Sequence, residues 1–197
     1  MPLLSKKHNI PVYTCFKTKD YLDNYLAEKK TSATIHGLEY DQTFKIKDLE
    51  ITTFETSHDA VMPCGFYISS DGQSLTFATD LGYVSDKILG YLNKADYIVL
   101  ESNYDNVMLE YGKYPYYVKK RISSDLGHLS NEDTASILSS ILTTNPDKKC
   151  LLSHLSENNN TVHVANDTIT SYLKDNGINT FDINFATPDL SCKGFVI

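Results

Sequence analysis

Several apolar runs in this chain end on an ionisable residue, and that pattern narrows the folds open to it. Leu75-Thr76-Phe77-Ala78 leads into Thr79-Asp80-Leu81-Gly82, and Val99-Leu100 leads into Glu101-Ser102-Asn103. Leu151-Leu152-Ser153 ends at His154, and the alternating stretch Leu49-Glu50-Ile51-Thr52-Thr53-Phe54 runs into Glu55-Thr56-Ser57-His58-Asp59. A short apolar run closed by a turn signal reads as a buried strand. A carboxylate at the tip of such a strand is costly unless a cation or hydrogen-bond donors meet it. Gly127-His128-Leu129-Ser130, ahead of a helical pattern, adds one more histidine at an element end. Ionisable groups gathered at strand and helix ends are the layout of a metal-centred hydrolytic site.

The rest of the chain supplies a frame for those ends. Residues 1–9 read as the end of a helix, with Lys6 and Lys7 in its last turn. Ile10-Pro11-Val12-Tyr13 reads as a short strand, and Tyr21–Leu26 as a helix after Thr18-Lys19-Asp20. Phe44–Ile46, Leu49–Phe54 and Gly65–Ile68 read as strands. Ser70-Asp71-Gly72-Gln73 is a hairpin turn before the Asp80 strand. Ser85 caps a helix over Lys87–Leu92, and Ala95–Leu100 is a core strand. Residues 104–124 are tyrosine-rich and helical around Pro115, and Ser130 or Asn131 caps a helix over Glu132–Leu142. Lys149–Ser153 is a strand, Asn166–Asn176 the last helix, and Ile178–Ile183 and Gly194–Ile197 are edge strands. An antiparallel first part followed by alternating strand and helix makes one α/β domain over residues 1–197, a sheet covered by helices.

Composition sets outer limits. The net charge of -7 argues against broad electrostatic capture of nucleic acid, although a bound cation reverses a local field. The four cysteines are far apart and form no Cys-x-x-Cys pair, so a disulfide framework is not expected. No stretch has the ~20 apolar residues of a membrane span, and Met1–Lys7 lacks the apolar core of a signal peptide. The cytoplasm is the expected compartment.

Each candidate residue has a plainer reading. His58 can be a turn histidine, Asp80 a turn or helix cap, and His154 a surface or capping residue. His128 can be a histidine held just before an N-cap. Together, two histidines and an aspartate at separate strand ends form a metal-ligand inventory suited to zinc, manganese or iron. His128 fits a general acid with Glu101 as its carboxylate partner. His8, His36 and His163 read as ordinary surface residues. Tyr104, Tyr111, Tyr114, Tyr116 and Tyr117 could stack nucleobases, but packing a helical flap over the core is the expectation.

In order, the chain carries Thr79-Asp80-Leu81-Gly82-Tyr83, Leu100-Glu101-Ser102-Asn103-Tyr104-Asp105, Met108-Leu109, Tyr114-Pro115, Lys120-Arg121-Ile122, Gly127-His128-Leu129-Ser130-Asn131 and Ser153-His154-Leu155-Ser156-Glu157-Asn158-Asn159. Together these resemble the YycJ/WalJ-type branch of the metallo-β-lactamase fold, related in layout to ribonuclease Z. The likeness spans essentially the whole chain and is dense from 51 to 166. It implies an αββα sandwich with a site for two divalent metal ions. It implies His58, Asp80 and His154 as metal ligands, Asp80 bridging the ions. It also implies His128 as the residue protonating the leaving oxygen, with Glu101 supporting it. Members of this branch are described as metal-dependent phosphodiesterases, including a DNA exonuclease acting from the 5′ end.

The sequence departs from that pattern at one place. The family's His-x-His-x-Asp-His signature does not occur in it. Residues 1–13 resemble the helix and strand that follow that motif, so an N-terminally incomplete chain is expected. Such a chain should bind metal weakly, with partial occupancy, and hydrolyse little or nothing. It should also self-associate through an exposed sheet edge. Nucleic acid, DNA before RNA, is the expected substrate. A non-catalytic binding protein of the same fold, or a metallo-hydrolase of a small ester or thioester, are the alternatives.

Overall fold

A computed structural model describes residues 2–187 of the chain. Its elements run α1 (Pro2–His8), β1 (Val12–Cys15), α2 (Phe16–Glu28), β2 (Ile35–Leu38), β3 (Thr43–Ile46), β4 (Leu49–Glu55), β5 (Cys64–Ser70) and β6 (Gln73–Ala78). They continue with α3 (Asp86–Lys94), β7 (Tyr97–Glu101), α4 (Asn106–Tyr111), α5 (Tyr116–Ile122), α6 (Asn131–Thr144), β8 (Lys149–Ser153), α7 (Val162–Asp175) and β9 (Asp182–Phe185). Strands β3 to β9 form one seven-stranded sheet in sequence order, and β1 pairs with β2 in a separate parallel sheet.

The large sheet changes character half-way across. Strands β3 to β6 are antiparallel neighbours, whereas β6 to β9 are parallel. The antiparallel half is made by short turns. Asp71 (φ 48) and Gly72 (φ 79) both take the left-handed conformation that a two-residue hairpin turn demands, closing the Ser70↔Gln73 pair. The parallel half is made by helical crossovers: α3 between β6 and β7, α4 to α6 between β7 and β8, and α7 between β8 and β9. Two caps start these helices as the sequence indicates. Ser85 Oγ accepts from Ile88 N, and Ser130 with Asp133 forms a complete capping box on α6.

Strand β7 is buried along its whole length, as expected of the middle of a helix-covered sheet. Register places Phe54, Ala78, Leu100, Leu152 and Phe185 in one row, next to a second row of Tyr67, Thr76, Ile98 and Cys150. Their apolar members pack with Ile88 and Leu92 of α3, Leu138, Ile141 and Leu142 of α6, and Ile169 and Leu173 of α7. The opposite face carries Phe66, Phe77, Val99 and Leu151 in register, and Phe77 is 41% exposed there.

Several sequence expectations shift. The second helix begins at Phe16, five residues before the amphipathic stretch, and buries only Leu26. Once a turn has nucleated, each further residue adds a hydrogen bond, so a helix outruns its apolar pattern. The last helix begins at Val162 because Thr161 Oγ1 accepts from Val164 N, a cap the pattern did not mark. The 178–183 edge strand is displaced to Asp182–Phe185. Strand β2, with Gly37 inside four residues, has no legible signal. The tyrosine segment is two helices broken at Pro115, and it does not serve as an apolar flap. Tyr111, Tyr116 and Tyr117 are 80%, 74% and 74% exposed, while Tyr104 is buried. The Gly194–Ile197 strand lies outside the described residues.

Candidate metal centre

The site forms because four strands point the same way. Strands β6, β7 and β8 are parallel, and β4 is antiparallel to β5, which is antiparallel to β6. The carboxyl ends of β4, β6, β7 and β8 therefore share one edge, where side chains beyond an α/β sheet converge. His58 follows β4, Asp80 follows β6, Glu101 ends β7 and His154 follows β8. His128, just before α6, comes in beside them. All five candidate residues are brought together.

Glu101 organises the cluster from below. It is fully buried and accepts five hydrogen bonds. Its Oε1 takes Leu81 N (3.2 Å) and Leu129 N (2.9 Å). Its Oε2 takes Asp80 N (3.2 Å), His128 Nδ1 (2.9 Å) and His154 Nδ1 (2.5 Å). Burial by itself pushes this carboxyl up, but the bonds from His128 and His154 outweigh it and hold the group at about 2. The same bond draws the His154 imidazole up from its ordinary value against the opposing effect of burial, with Asp80 adding to the pull. Sequence reasoning paired Glu101 with His128 alone; the structure shares it between two histidines.

The backbone is held in a demanding conformation here. Asp80 (φ 59) and His154 (φ 58) are both left-handed without being glycine, a conformation that costs on the order of 1–3 kcal/mol each. Surrounding bonds fix it. Glu101 clasps the Asp80 and Leu81 amides, and Asn103 Nδ2 donates to His154 O at 2.7 Å. A buried net of Ser102, Asn131 and Asn160 ties the end of β7 to α6 and to the loop after β8. These asparagines were missed in the sequence as supports of the site; polar residues after a strand look the same whether they face water or a network.

The imidazoles are aimed by their Nδ1 atoms. His58 Nδ1 lies 3.0 Å from the carbonyl of Gly127, which can only accept, so Nδ1 is the donor in that bond and Nε2 is the nitrogen left to face the cluster. His154 Nδ1 is likewise occupied by Glu101. Nε2 of His58 lies 3.5 Å from Asp59 Oδ1 and 3.6 Å from Asp80 Oδ1, and Nε2 of His154 lies 3.7 Å from the same Asp80 oxygen. These separations are too long for hydrogen bonds. They are close to the ~3.4 Å expected between two donors that each sit ~2.1 Å from a tetrahedral ion. One donor atom from each of Asp80, Glu101, His128 and His154 also lies within 4.8 Å of the others. Glu101 is nevertheless a poor ligand, because its oxygens are already taken up by five donors. His58, Asp80 and His154 offer two imidazole nitrogens and a carboxylate oxygen, the donor types a divalent ion takes.

Further residues pin the cluster to the surface. Asp59, next to His58, is paired with Arg121 of α5, and the Arg121 guanidinium holds its carboxyl below the usual range despite partial burial. Ser57 and Tyr83 exchange hydrogen bonds that tie the His58 loop to the Asp80 loop. A cavity of about 610 Å³ opens beside His58, and one of about 430 Å³ beside His128.

Comparison with known proteins bears on this arrangement. Residues 1–155 match the family model described as the beta-lactamase superfamily domain. The chain belongs to that superfamily. Among curated proteins, it is 33% identical over 195 residues to exodeoxyribonuclease YycJ of Bacillus anthracis, covering 97% of this chain and 73% of that one. It is 39% identical over 173 residues to exodeoxyribonuclease WalJ of Streptococcus pneumoniae, covering 87% of this chain and 64% of the relative. Among solved structures, the metallo-beta-lactamase fold protein YhfI of Bacillus subtilis matches with a TM-score of 0.58 at 17% identity, over 89% of this chain and 62% of that one. The mixed α/β architecture of this chain is thus the metallo-β-lactamase fold. No described helix is long and apolar enough to cross a membrane.

Proposed function

We propose that the chain carries the site of a metal-dependent phosphodiesterase acting on DNA from its 5′ end. One observation carries the reading. The Nε2 atoms of His58 and His154 converge on Asp80 Oδ1, while Glu101 occupies the other nitrogen of His154 and one nitrogen of His128. The names of the two curated relatives, both exodeoxyribonucleases, support DNA before RNA as the substrate.

His58, Asp80 and His154 would hold the ion, and zinc, manganese or iron suit that donor set. A divalent ion there supplies Lewis acidity, offsetting phosphate charge and lowering the pKa of water. To protonate the leaving oxygen, His128 would give up a proton from Nε2 while its Nδ1–H stays bound to Glu101. Glu101 positions both rings without touching substrate. Three ligands centred on one carboxylate oxygen hold one ion weakly, so slow turnover is expected. Self-association through β3 or β9, the edge strands of the large sheet among the described residues, belongs to the same reading; sedimentation at two concentrations measures it.

The test is manganese and zinc binding by equilibrium dialysis, combined with nucleotide release from a 5′-phosphorylated oligonucleotide. We expect at most one weakly held ion per chain and slow, manganese-dependent release. Asp80→Asn should lose both. His128→Ala should keep the ion and lose release about 10²- to 10⁴-fold. Metal binding that survives Asp80→Asn unchanged would overturn the ligand assignment. The convergence on a single oxygen also favours a second reading, a metal-binding protein without catalysis. That reading predicts a bound ion with no cleavage of DNA, RNA or a generic phosphodiester.

A further inference from the structure

The segment between β7 and α6 carries a surface that the metal centre does not use. Lys113-Tyr114-Pro115-Tyr116-Tyr117-Val118-Lys119-Lys120-Arg121 holds four cations, three tyrosines and no acidic residue, in a chain of net charge -7. Tyr116 and Tyr117 stand 74% exposed, and α5 buries none of its residues. Exposed rings of this size are expensive for a surface with no partner. Between α4 and α5 runs a groove of about 470 Å³, lined by Asn106, Leu109, Tyr116 and Ser123, with Lys119 and Lys120 outnumbering the one carboxylate, Glu110.

That groove leads to the candidate site. Ser123 lines both it and the cavity that contains His128. The C-terminal end of α5 is stitched to the centre from both sides. Arg121 pairs with Asp59, and the His128 amide donates to Ile122 O at 2.9 Å. Tyr117 lies one turn before Arg121 on the same helix face, and Tyr116 bears the same relation to Lys120. Six residues of helix separate Tyr116 from Ile122, about 9 Å of axial rise. That is the rise of about three stacked nucleotides at 3.4 Å each. Lys119 Nζ is anchored by the carbonyl of Glu110 at 2.6 Å and keeps protons for another acceptor. Lys120 Nζ sits 5.7 Å from the Tyr116 ring centroid, a cation beside an aromatic face.

The geometry points to a docking track for a single DNA strand along α5. Bases stack on Tyr116 and Tyr117, and backbone phosphates meet Lys119 and Lys120. The strand's end is delivered past Ser123 toward His128. Aromatic rings interleaved with lysines are what sequence-tolerant binding of an unpaired strand requires. This rests on the phosphodiesterase reading for the purpose of the track, but the binding itself needs no metal.

The test measures anisotropy of fluorescein-labelled single-stranded DNA, single-stranded RNA and duplex DNA with the full chain in EDTA, at several salt concentrations. The wild type should bind single-stranded DNA more tightly than single-stranded RNA or duplex DNA, and a preference for RNA overturns the proposal. The double variant Tyr116→Ala/Tyr117→Ala should weaken single-strand binding about tenfold or more per ring. The double variant Tyr116→Phe/Tyr117→Phe, which keeps the rings, should restore it. Lys119→Ala/Lys120→Ala should reduce the slope of log affinity against log salt by about 1.4. Absence of wild-type single-strand binding, tighter binding of duplex, or wild-type affinity in both alanine variants overturns the proposal. Strand binding lost in the tyrosine variant, in a chain that cleaves nothing, leaves the track standing and removes the hydrolase reading. Metal-dependent cleavage in a chain whose strand binding ignores these residues does the reverse.

Discussion

Glu101 shows how much one buried carboxylate can determine. Its five donors come from three separate segments, so it fixes the Asp80 backbone, the His128 ring and the His154 ring at once. Removing its charge leaves those donors facing an uncharged group. Glu101→Gln should cost about 1–3 kcal/mol in urea unfolding. Its titration sets a pH signature for the chelator-treated protein. The folded value of Glu101 is depressed from 4.5 to about 2, so its contribution is full above 4.5 and is lost as pH falls through about 2. His154 is raised above its ordinary 6.5, so its contribution is full below 6.5 and is lost as pH rises through the folded value. Stability from this pair is therefore greatest between 4.5 and 6.5. Urea midpoints measured across pH in EDTA should show that maximum, and Glu101→Gln should flatten both limbs.

Elements matter here for where they stop. The turn between α5 and α6 presents the Gly127 carbonyl to His58, and it can do so only by passing very close to α5. A Cβ at Gly127 would overlap the carbonyl oxygens of Arg121 and Ile122. Gly127→Ala should destabilise the fold by about 1–3 kcal/mol and weaken metal binding, because the His58 ring loses its aim. Ser130→Ala, three residues on, removes a helix cap whose bonds do not reach His58, Asp80 or His154. It should cost only about 1 kcal/mol and leave metal affinity near that of the wild type. Thermal unfolding and equilibrium dialysis on the two variants separate the effects. At this scale the sequence was legible where local chemistry decides. The Asp71-Gly72 turn and the Ser85 cap stand where residue type places them, and of the two candidates Ser130 and Asn131 it is Ser130 that caps α6. It was not legible for β2, whose four residues become a strand only by pairing with β1.

Across the whole molecule, cohesion is uneven. Strands β1 and β2 with α2 make a small unit of their own, and a two-stranded sheet is marginal by itself. Its ties to the large sheet include the stack of Tyr13 on Phe44, at 5.0 Å between centroids, and the bond from Tyr40 Oη to Pro63 O at 2.9 Å. Amides of 12–15 and 35–38 should therefore exchange with deuterium well before those of 97–101 and 149–153. Equal protection in the two sets would show that the small unit is as firmly held as the core. The sequence by itself determined which residues end the strands, because a run of apolar side chains closed by a turn marks the rim of a sheet. It thereby singled out His58, Asp80, Glu101 and His154, while His128 was marked by the helix start that follows it. Only the tertiary structure decided that these ends share one edge, since strand direction depends on how β4, β5 and β6 pair and not on their composition. The sharing of Glu101 between two histidines, the left-handed turns at Asp80 and His154, and the exposure of Tyr116 and Tyr117 belong to the same class. Each depends on what a residue meets across the fold, and no local pattern encodes that.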